Sequence, residues 1–331
     1  MNGLRGRKIL FIGIGFYDYE ASIVARLRRH GAQVHAFYDR PALLRRSMFA
    51  TSVRLARIDT APLISRHEKD ILRRIGDVRF DYVLIIKASE LRTFFLETLR
   101  QRLSSAHFIL YQWDSLVRMP GIEARLHYFD RILSFDRADC AAHPNMLFRP
   151  LFYRDESPPL RGPAGDLDLC FVGWLHSDRL SVIRRLQAQA RSHGVSFFVY
   201  LFTGIRTALR LSFGGNGRNV HVRPLPYSKL LALYRRASVF LDLPHALQSG
   251  LTMRAIEAIG HGRKLLTTAL DVVNYDFYSI DNVCVMRPDE LELAPPFIHA
   301  PPARYPPSIV RRYSLDGWIE DVFDLAGSRA A

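Results

Sequence analysis

Cysteine is scarce in this chain: Cys140, Cys170 and Cys284 lie far apart and show no metal-ligand spacing. That excludes a disulfide scaffold and a cysteine-built zinc site, and it fits a reducing compartment. Long apolar runs are also missing, since none approaches the roughly 18–20 residues of a membrane span. Arg5-Gly6-Arg7-Lys8 and the apolar run from Ile9 to Phe16 have the outline of a short signal peptide. Asp18 and Glu20 follow at once, without a small-residue cleavage site, so we read a first buried strand and expect a cytoplasmic protein. Lysine is rare as well. Of 46 basic residues only five are lysines, in a chain of formal net charge +14. Such a charge suggests a nucleic-acid partner. The arginines are scattered, however, and pairs such as Arg28-Arg29, Arg73-Arg74 and Arg235-Arg236 sit near expected helix ends, where they complement the helix dipole. We therefore set nucleic acid aside. A basic surface also suits anionic headgroups, which makes peripheral contact with an anionic inner membrane an expectation.

What remains is a globular chain of 331 residues, 48% hydrophobic, long enough for two domains. Short apolar runs ended by glycine or a polar residue alternate with helical patterns. In the first half the expected strands are Arg7–Gly13, Gln33–Tyr38, Tyr82–Lys87, Ala106–Tyr111 and Arg131–Phe135. Helices at Tyr19–His30, Pro62–Gly76 and Glu90–Leu103 separate the earlier ones. Arg149–Pro163 is rich in proline and charge and reads as a linker. A second series follows, with strands at Leu167–Val172, Ser196–Leu201, Val220–Arg223, Ser238–Leu243 and Val283–Met286. Pro295–Pro307 holds six prolines and is expected to be an extended crossing, before a closing helix over Tyr313–Leu325. The expected division is 1–150, 151–310 and a C-terminal helix in 311–331 that packs toward the first domain. Alternating βαβ units imply parallel sheets, and a ligand is expected in the cleft between the two domains.

The densest chemistry lies after the apolar strand that ends at Asp242. Gln248-Ser249-Gly250-Leu251-Thr252-Met253-Arg254 opens a helix that carries Glu257, and a glycine turn and the strand Lys264-Leu265-Leu266-Thr267 follow. A helix N-terminus at the carboxyl end of a parallel strand favours an anion through free N–H groups and the helix dipole. Ser249 and Thr252 add hydroxyls, Arg254 adds a fixed charge, and Glu257 has the chemistry to accept hydrogen bonds from a sugar diol. His245 stands beside this turn. Gly13-Ile14-Gly15 lacks the third glycine of a dinucleotide fingerprint, since position 18 is Asp, so we read a tight turn. Asp130, Asp136 and Asp139 read as caps, and Trp113 and Trp174 as packing residues.

The segment from Gln248 to Thr268 resembles the donor-binding segment of GT-B glycosyltransferases, with its closest similarity to bacterial capsule and lipopolysaccharide enzymes. Tyr111–Ser115, Phe129–Cys140 and Phe171–Arg179 support the resemblance. It implies an α/β, GT-B-like fold of two Rossmann-like domains whose parallel sheets face across a cleft. It further implies transfer of a sugar from a nucleotide-sugar donor to a surface glycan or glycolipid acceptor, with no metal and no cofactor. By the same resemblance Glu257 would hold the ribose, and Arg254 with Ser249, Gly250, Leu251 and Thr252 the diphosphate. Gly173, His176 and Arg179 would form the opposite wall, His245 and Gln248 would lie beside the donor, and Gly13 and Gly15 would let the first domain's backbone approach the cleft. Many retaining members carry a second glutamate eight positions before the first; here that position is Ser249, which weakens a retaining mechanism. An inverting reaction needs a base. Asp114 and Asp18 are the catalytic candidates, with Glu20 and Asp39 also near strand ends. The alternatives are a GT-B-fold nucleotide-sugar epimerase and a non-catalytic nucleotide-binding module. The broken glycine fingerprint disfavours an NAD oxidoreductase.

Overall fold

The structure, a computed structural model, describes residues 3–15, 19–45, 59–155, 165–176, 178–215, 217–245, 247–287 and 289–325. The chain divides into two compact units, residues 1–150 with 315–331 and residues 151–314.

The first unit is built on six parallel strands: β1 (Lys8–Gly13), β2 (Gln33–Tyr38), β3 (Tyr82–Ile86), β4 (His107–Gln112), β5 (Arg131–Ser134) and β6 (Met146–Phe148). Their order is β2-β1-β3-β4-β5-β6. Runs such as Val83-Leu84-Ile85-Ile86 are buried throughout because helices cover both faces of a parallel sheet, so alternation is lost from the sequence. The covering helices are α1 (Tyr19–Arg29), the short α2 (Ala42–Arg45), α3 (Ala61–Ile75), α4 (Thr93–Arg102) and the short α5 (Arg137–Ala142). Asp136 caps α5, its carboxylate accepting from the Ala138 N–H at 3.0 Å.

The second unit repeats the scheme with β7 (Leu167–Trp174), β8 (Phe197–Phe202), β9 (Val220–His221), β10 (Ala237–Asp242), β11 (Lys264–Thr267) and β12 (Val283–Val285). All pairings are parallel, in the order β12-β11-β10-β7-β8-β9. Between the strands lie α6 (Arg179–Ser192), α7 (Ile205–Phe213), α8 (Tyr227–Arg236) and α9 (Met253–Gly260). The sequence reading assigned no element to Ile205–Phe213, which is a full helix. The expected extended crossing over Pro295–Pro307 is also corrected, because Pro295–His299 forms a helix, α10, and Pro307–Arg312 another, α11. Proline is tolerated in a first helical turn, where its missing N–H has no partner to lose. The carboxyl end of α10 is closed by Lys264, whose ammonium donates to the carbonyls of Phe297, Ile298 and Ala300. That explains a fully buried lysine in the middle of a sheet.

The last helix, α12 (Leu315–Val322), belongs to the first unit. Trp318 is fully buried, with its ring 4.9 Å from that of Tyr111. Asp316 pairs with Arg26 at 2.7 Å and His30 at 2.8 Å, and Asp321 pairs with Arg149 at 2.8 Å. Among the described residues, no helix is long and apolar enough to cross a membrane.

Candidate active site

In the second sheet the strand order reverses direction between β7 and β10, and ligands of open α/β sheets bind at the carboxyl ends of the strands flanking such a switch. Two arginines converge there. Arg254, in the first turn of α9, donates to the Val172 carbonyl through Nε at 2.9 Å and to Asp242 through Nη1 at 2.9 Å. Arg179, opening α6, donates to the carbonyls of Trp174 and Leu243. Both guanidiniums lie over the ring of Phe171, at 4.5 Å and 5.4 Å from its centroid. Burial, then the charge of Arg254, presses the Arg179 pKa down to about 9. The two guanidiniums share one buried carboxylate, Asp242, which leaves a net positive charge that favours an anion. Each guanidinium has five N–H groups, so the bonds just given leave donors on both for a ligand.

Gly173 makes this seat possible. A Cβ there would stand 2.8 Å from Nη2 of Arg254 and 3.0 Å from the Phe171 ring. Asp242, at the end of β10 and fully buried, is the organiser that the sequence reading missed. It accepts from Arg254, from the Thr252 hydroxyl at 2.6 Å and from the Thr267 hydroxyl at 3.3 Å. The Thr252 hydroxyl is turned toward Asp242, to which it donates, and it makes no cap bond to α9. The first-turn N–H groups of that helix are therefore not capped by this side chain. An acidic residue ending an apolar strand beside a phosphate-type turn was the available signal.

His176 and His245 follow β7 and β10, with ring centroids 5.0 Å apart. Gln248 donates to the Gly250 carbonyl at 2.7 Å, and the Leu251 N–H reaches the Tyr275 hydroxyl at 3.4 Å. Ser249 and Gly250 lie in the same turn. Trp174, read as a packing residue, is 43% exposed at the end of β7, with its indole edge on Phe202 at 5.3 Å. Glu257, expected at the ribose, is engaged within the second unit. It is 2% exposed and accepts from the Tyr234 hydroxyl at 2.6 Å, which ties α9 to α8.

The first unit reverses order between β1 and β3. Gly13-Ile14-Gly15 ends β1, but the N–H groups of Ile14 and Gly15 already donate to Glu20 Oε1 at 2.8 Å and 2.9 Å. Gly13 has no room for a Cβ beside that carboxylate. The turn is braced from within, and Glu20 is its brace rather than a base. Asp18 lies outside the described residues. Asp114 is held by Lys87 at 2.5 Å through one oxygen and by Arg118 at 2.9 Å through the other. Lys87 itself is strained: its φ is +72°, that of Ala88 is +53°, and the Ala88 N–H donates back to the Ile86 carbonyl at 2.9 Å, closing a γ-turn. Asp39, just after β2, is buried with Oδ1 3.6 Å from Arg40 Nε, too long for a hydrogen bond, and burial raises its pKa to about 6 against the charge of Arg40. An open cavity of about 850 Å³ lies at the opposite, amino ends of β1, β3 and β4. Its Arg7 and Asp81 pair with each other at 2.7 Å, and it carries none of the grouped chemistry seen at the carboxyl ends.

Comparison with solved structures decides the fold. AviGT4, a glycosyltransferase involved in avilamycin A biosynthesis, superposes with a TM-score of 0.55 at 14% identity, over 96% of each chain. The UDP-GlcNAc 2-epimerase from Neisseria meningitidis bound to UDP-GlcNAc gives 0.53 at 10% identity, over 96% of this chain and 98% of that one. MnaA of S. aureus, solved with UDP, gives 0.53 at 11% identity, over 96% and 97%. The chain has the GT-B fold. At these identities the likeness is one of fold alone, and no family model and no curated protein matches the sequence. Two parallel six-stranded sheets, each with a strand-order switch, form the core of this GT-B chain.

Proposed function

We propose that this GT-B chain is a glycosyltransferase that moves a sugar from a nucleotide-sugar donor to a hydroxyl of a glycan or glycolipid. The observation that carries the reading is the pair of arginines at the β7/β10 switch, Arg179 buried and Arg254 partly buried, seated on Phe171 in the space that Gly173 leaves open. Cleavage of the sugar–phosphate bond leaves negative charge on the diphosphate. Arg254, Arg179 and the first-turn N–H groups of α9 are preorganised donors for that charge, the role a metal ion plays in other designs. The Ser249–Thr252 turn, Gln248 and His245 follow β10 and His176 follows β7, at the same carboxyl edge. We assign the acceptor to the carboxyl edge of the first sheet. A base there must have an oxygen to spare. Asp39 Oδ1 has only the longer ion pair with Arg40 at 3.6 Å and its pKa is near 6, whereas Asp114 has both oxygens in close ion pairs and serves better to hold Lys87.

Thermal shift with nucleoside diphosphates and their sugar conjugates, on the native chain and on Arg254→Met, tests the donor socket. A shift with one nucleotide class that disappears in the variant supports it; no shift with any of them sinks the proposal. Arg254→Met is preferable to a Glu257 variant, which would cut the Tyr234 bond and confuse folding with binding. The likeness to a UDP-GlcNAc 2-epimerase, with a TM-score of 0.53 against 0.55 for the transferase, supports a second reading. An epimerase converts the nucleotide sugar with no acceptor present, whereas a transferase accumulates nucleoside diphosphate in step with glycosylated acceptor. Product analysis with and without added glycan separates the two.

A further inference from the structure

Helix α7 sits beside the short edge strand β9 and carries its apolar residues on the outside. Ile205, Leu209 and Phe213, spaced by four, are 46%, 51% and 90% exposed, and Ala208 is the helix's one buried residue. Arg206 and Arg210 flank that stripe, and neither makes an ion pair among the described residues. The setting is unusually one-signed: between Asp178 and Asp242 the sequence contains no Asp or Glu at all, against ten arginines and Lys229. A nearly bare phenylalanine in line with two other large apolar side chains, bordered by unpaired arginines, is a basic amphipathic face.

We infer that α7 is a docking helix for an anionic lipid surface, lying in the plane of the interface with Ile205, Leu209 and Phe213 among the upper acyl chains and Arg206 and Arg210 at the headgroup phosphates. The charge and the apolar stripe together select this occupant. A nucleic-acid backbone satisfies the arginines but offers nothing to the stripe. A second copy of the chain, paired face to face, would set Arg206 and Arg210 against their own images with no carboxylate in the whole segment to neutralise them. The helix is far too short to cross a bilayer, so the contact is superficial.

Flotation of the full chain with phosphatidylcholine vesicles, with and without phosphatidylglycerol, tests this at low salt. The native chain should float with the anionic vesicles only. Phe213→Ser and the double variant Arg206→Gln/Arg210→Gln should each lower the partition, the latter about thirtyfold, since each arginine near such a surface contributes close to a factor of five. All three side chains are on the outside, so the variants fold, and the nucleotide-induced thermal shift must be unchanged in them. That shift fails if the donor reading fails, independently of flotation. Absence of flotation in the native chain overturns the inference. So does Phe213→Ser floating like the native chain, or binding to RNA or DNA that is indifferent to Phe213→Ser.

Discussion

The two sheets end in contrasting ways at their carboxyl edges. In the second unit the cations are already seated: Arg254 and Arg179 rest on backbone carbonyls and Asp242, and the glycine that admits them is in place. In the first unit the edge is tense and incomplete. Lys87 and Ala88 occupy left-handed backbone conformations, and Asp39 Oδ1, Ser89 Oγ and both amide atoms of Gln112 are buried without hydrogen bonds. Orphaned polar atoms and strain of this kind gather where a ligand completes the structure. The difference teaches that the cationic seat of the second unit is complete without a ligand, whereas the edge of the first unit keeps buried polar atoms without hydrogen bonds.

The sharpest way to break this comparison is Arg254→Met. It removes a diphosphate donor and strands a buried carboxylate, so nucleotide affinity should fall by two orders of magnitude or more and stability by about 3 kcal/mol. Adding Asp242→Asn should recover stability but not affinity, as calorimetry and titration would show. If the single variant keeps its affinity, the socket is elsewhere.

Acid should separate the units next. Burial and the charges of Arg263 and Arg235 hold His261 at about 4, against an ordinary 6.5. Between those values the unfolded chain binds the extra proton, so the second unit loses stability as pH falls, by about 3 kcal/mol once below pH 4. Asp39 and Asp139 in the first unit are raised by burial from 3.8 to about 6, so there the folded chain holds the extra protons and stability rises as pH falls through that window. Hydrogen exchange on the full chain at pH 7 and pH 4.5 should show protection dropping around His261 and holding around β2. His261→Phe should abolish the drop.

Two smaller effects sharpen the assignment. Lys87→Met should slow transfer about a hundredfold, the scale of one well-placed electrostatic group, with donor affinity unchanged. Parallel losses in turnover and donor affinity would argue against separate roles for the two edges. Trp174→Ala should weaken nucleotide binding by less than about tenfold, as expected for one exposed stacking surface, while a Tm shift without an affinity change would return Trp174 to a packing role.

The sheets were legible because their strands are short, apolar and punctuated, as at Tyr82–Ile86 and His107–Gln112. Helix α7 was not, because its apolar stripe points outward and no core demands it. The helix at Pro295–His299 was hidden by its own prolines and depends on Lys264, 34 positions before Ile298 and in another element. The site shows the same limit. Arg254 and the turn before it stood out locally, but the purpose of Gly173 is visible only once Arg254, far along the chain, is laid against it. Glu257 stood out by residue type and helix, and only the packing of α8 reveals its bond with Tyr234.

The return of the chain's last helix to the first unit has a consequence for biosynthesis. Residues 151–314 are contiguous and are complete as soon as they leave the ribosome, whereas the first unit, begun earlier, lacks Trp318 against Tyr111 and Asp316 against Arg26 until the end is made. At ordinary elongation rates that interval is roughly ten to thirty seconds. During it the face of Tyr111 lies open, so the older half of the nascent protein is the one that needs shelter, and a stop codon just before Leu315 would leave the second unit whole and the first unfinished.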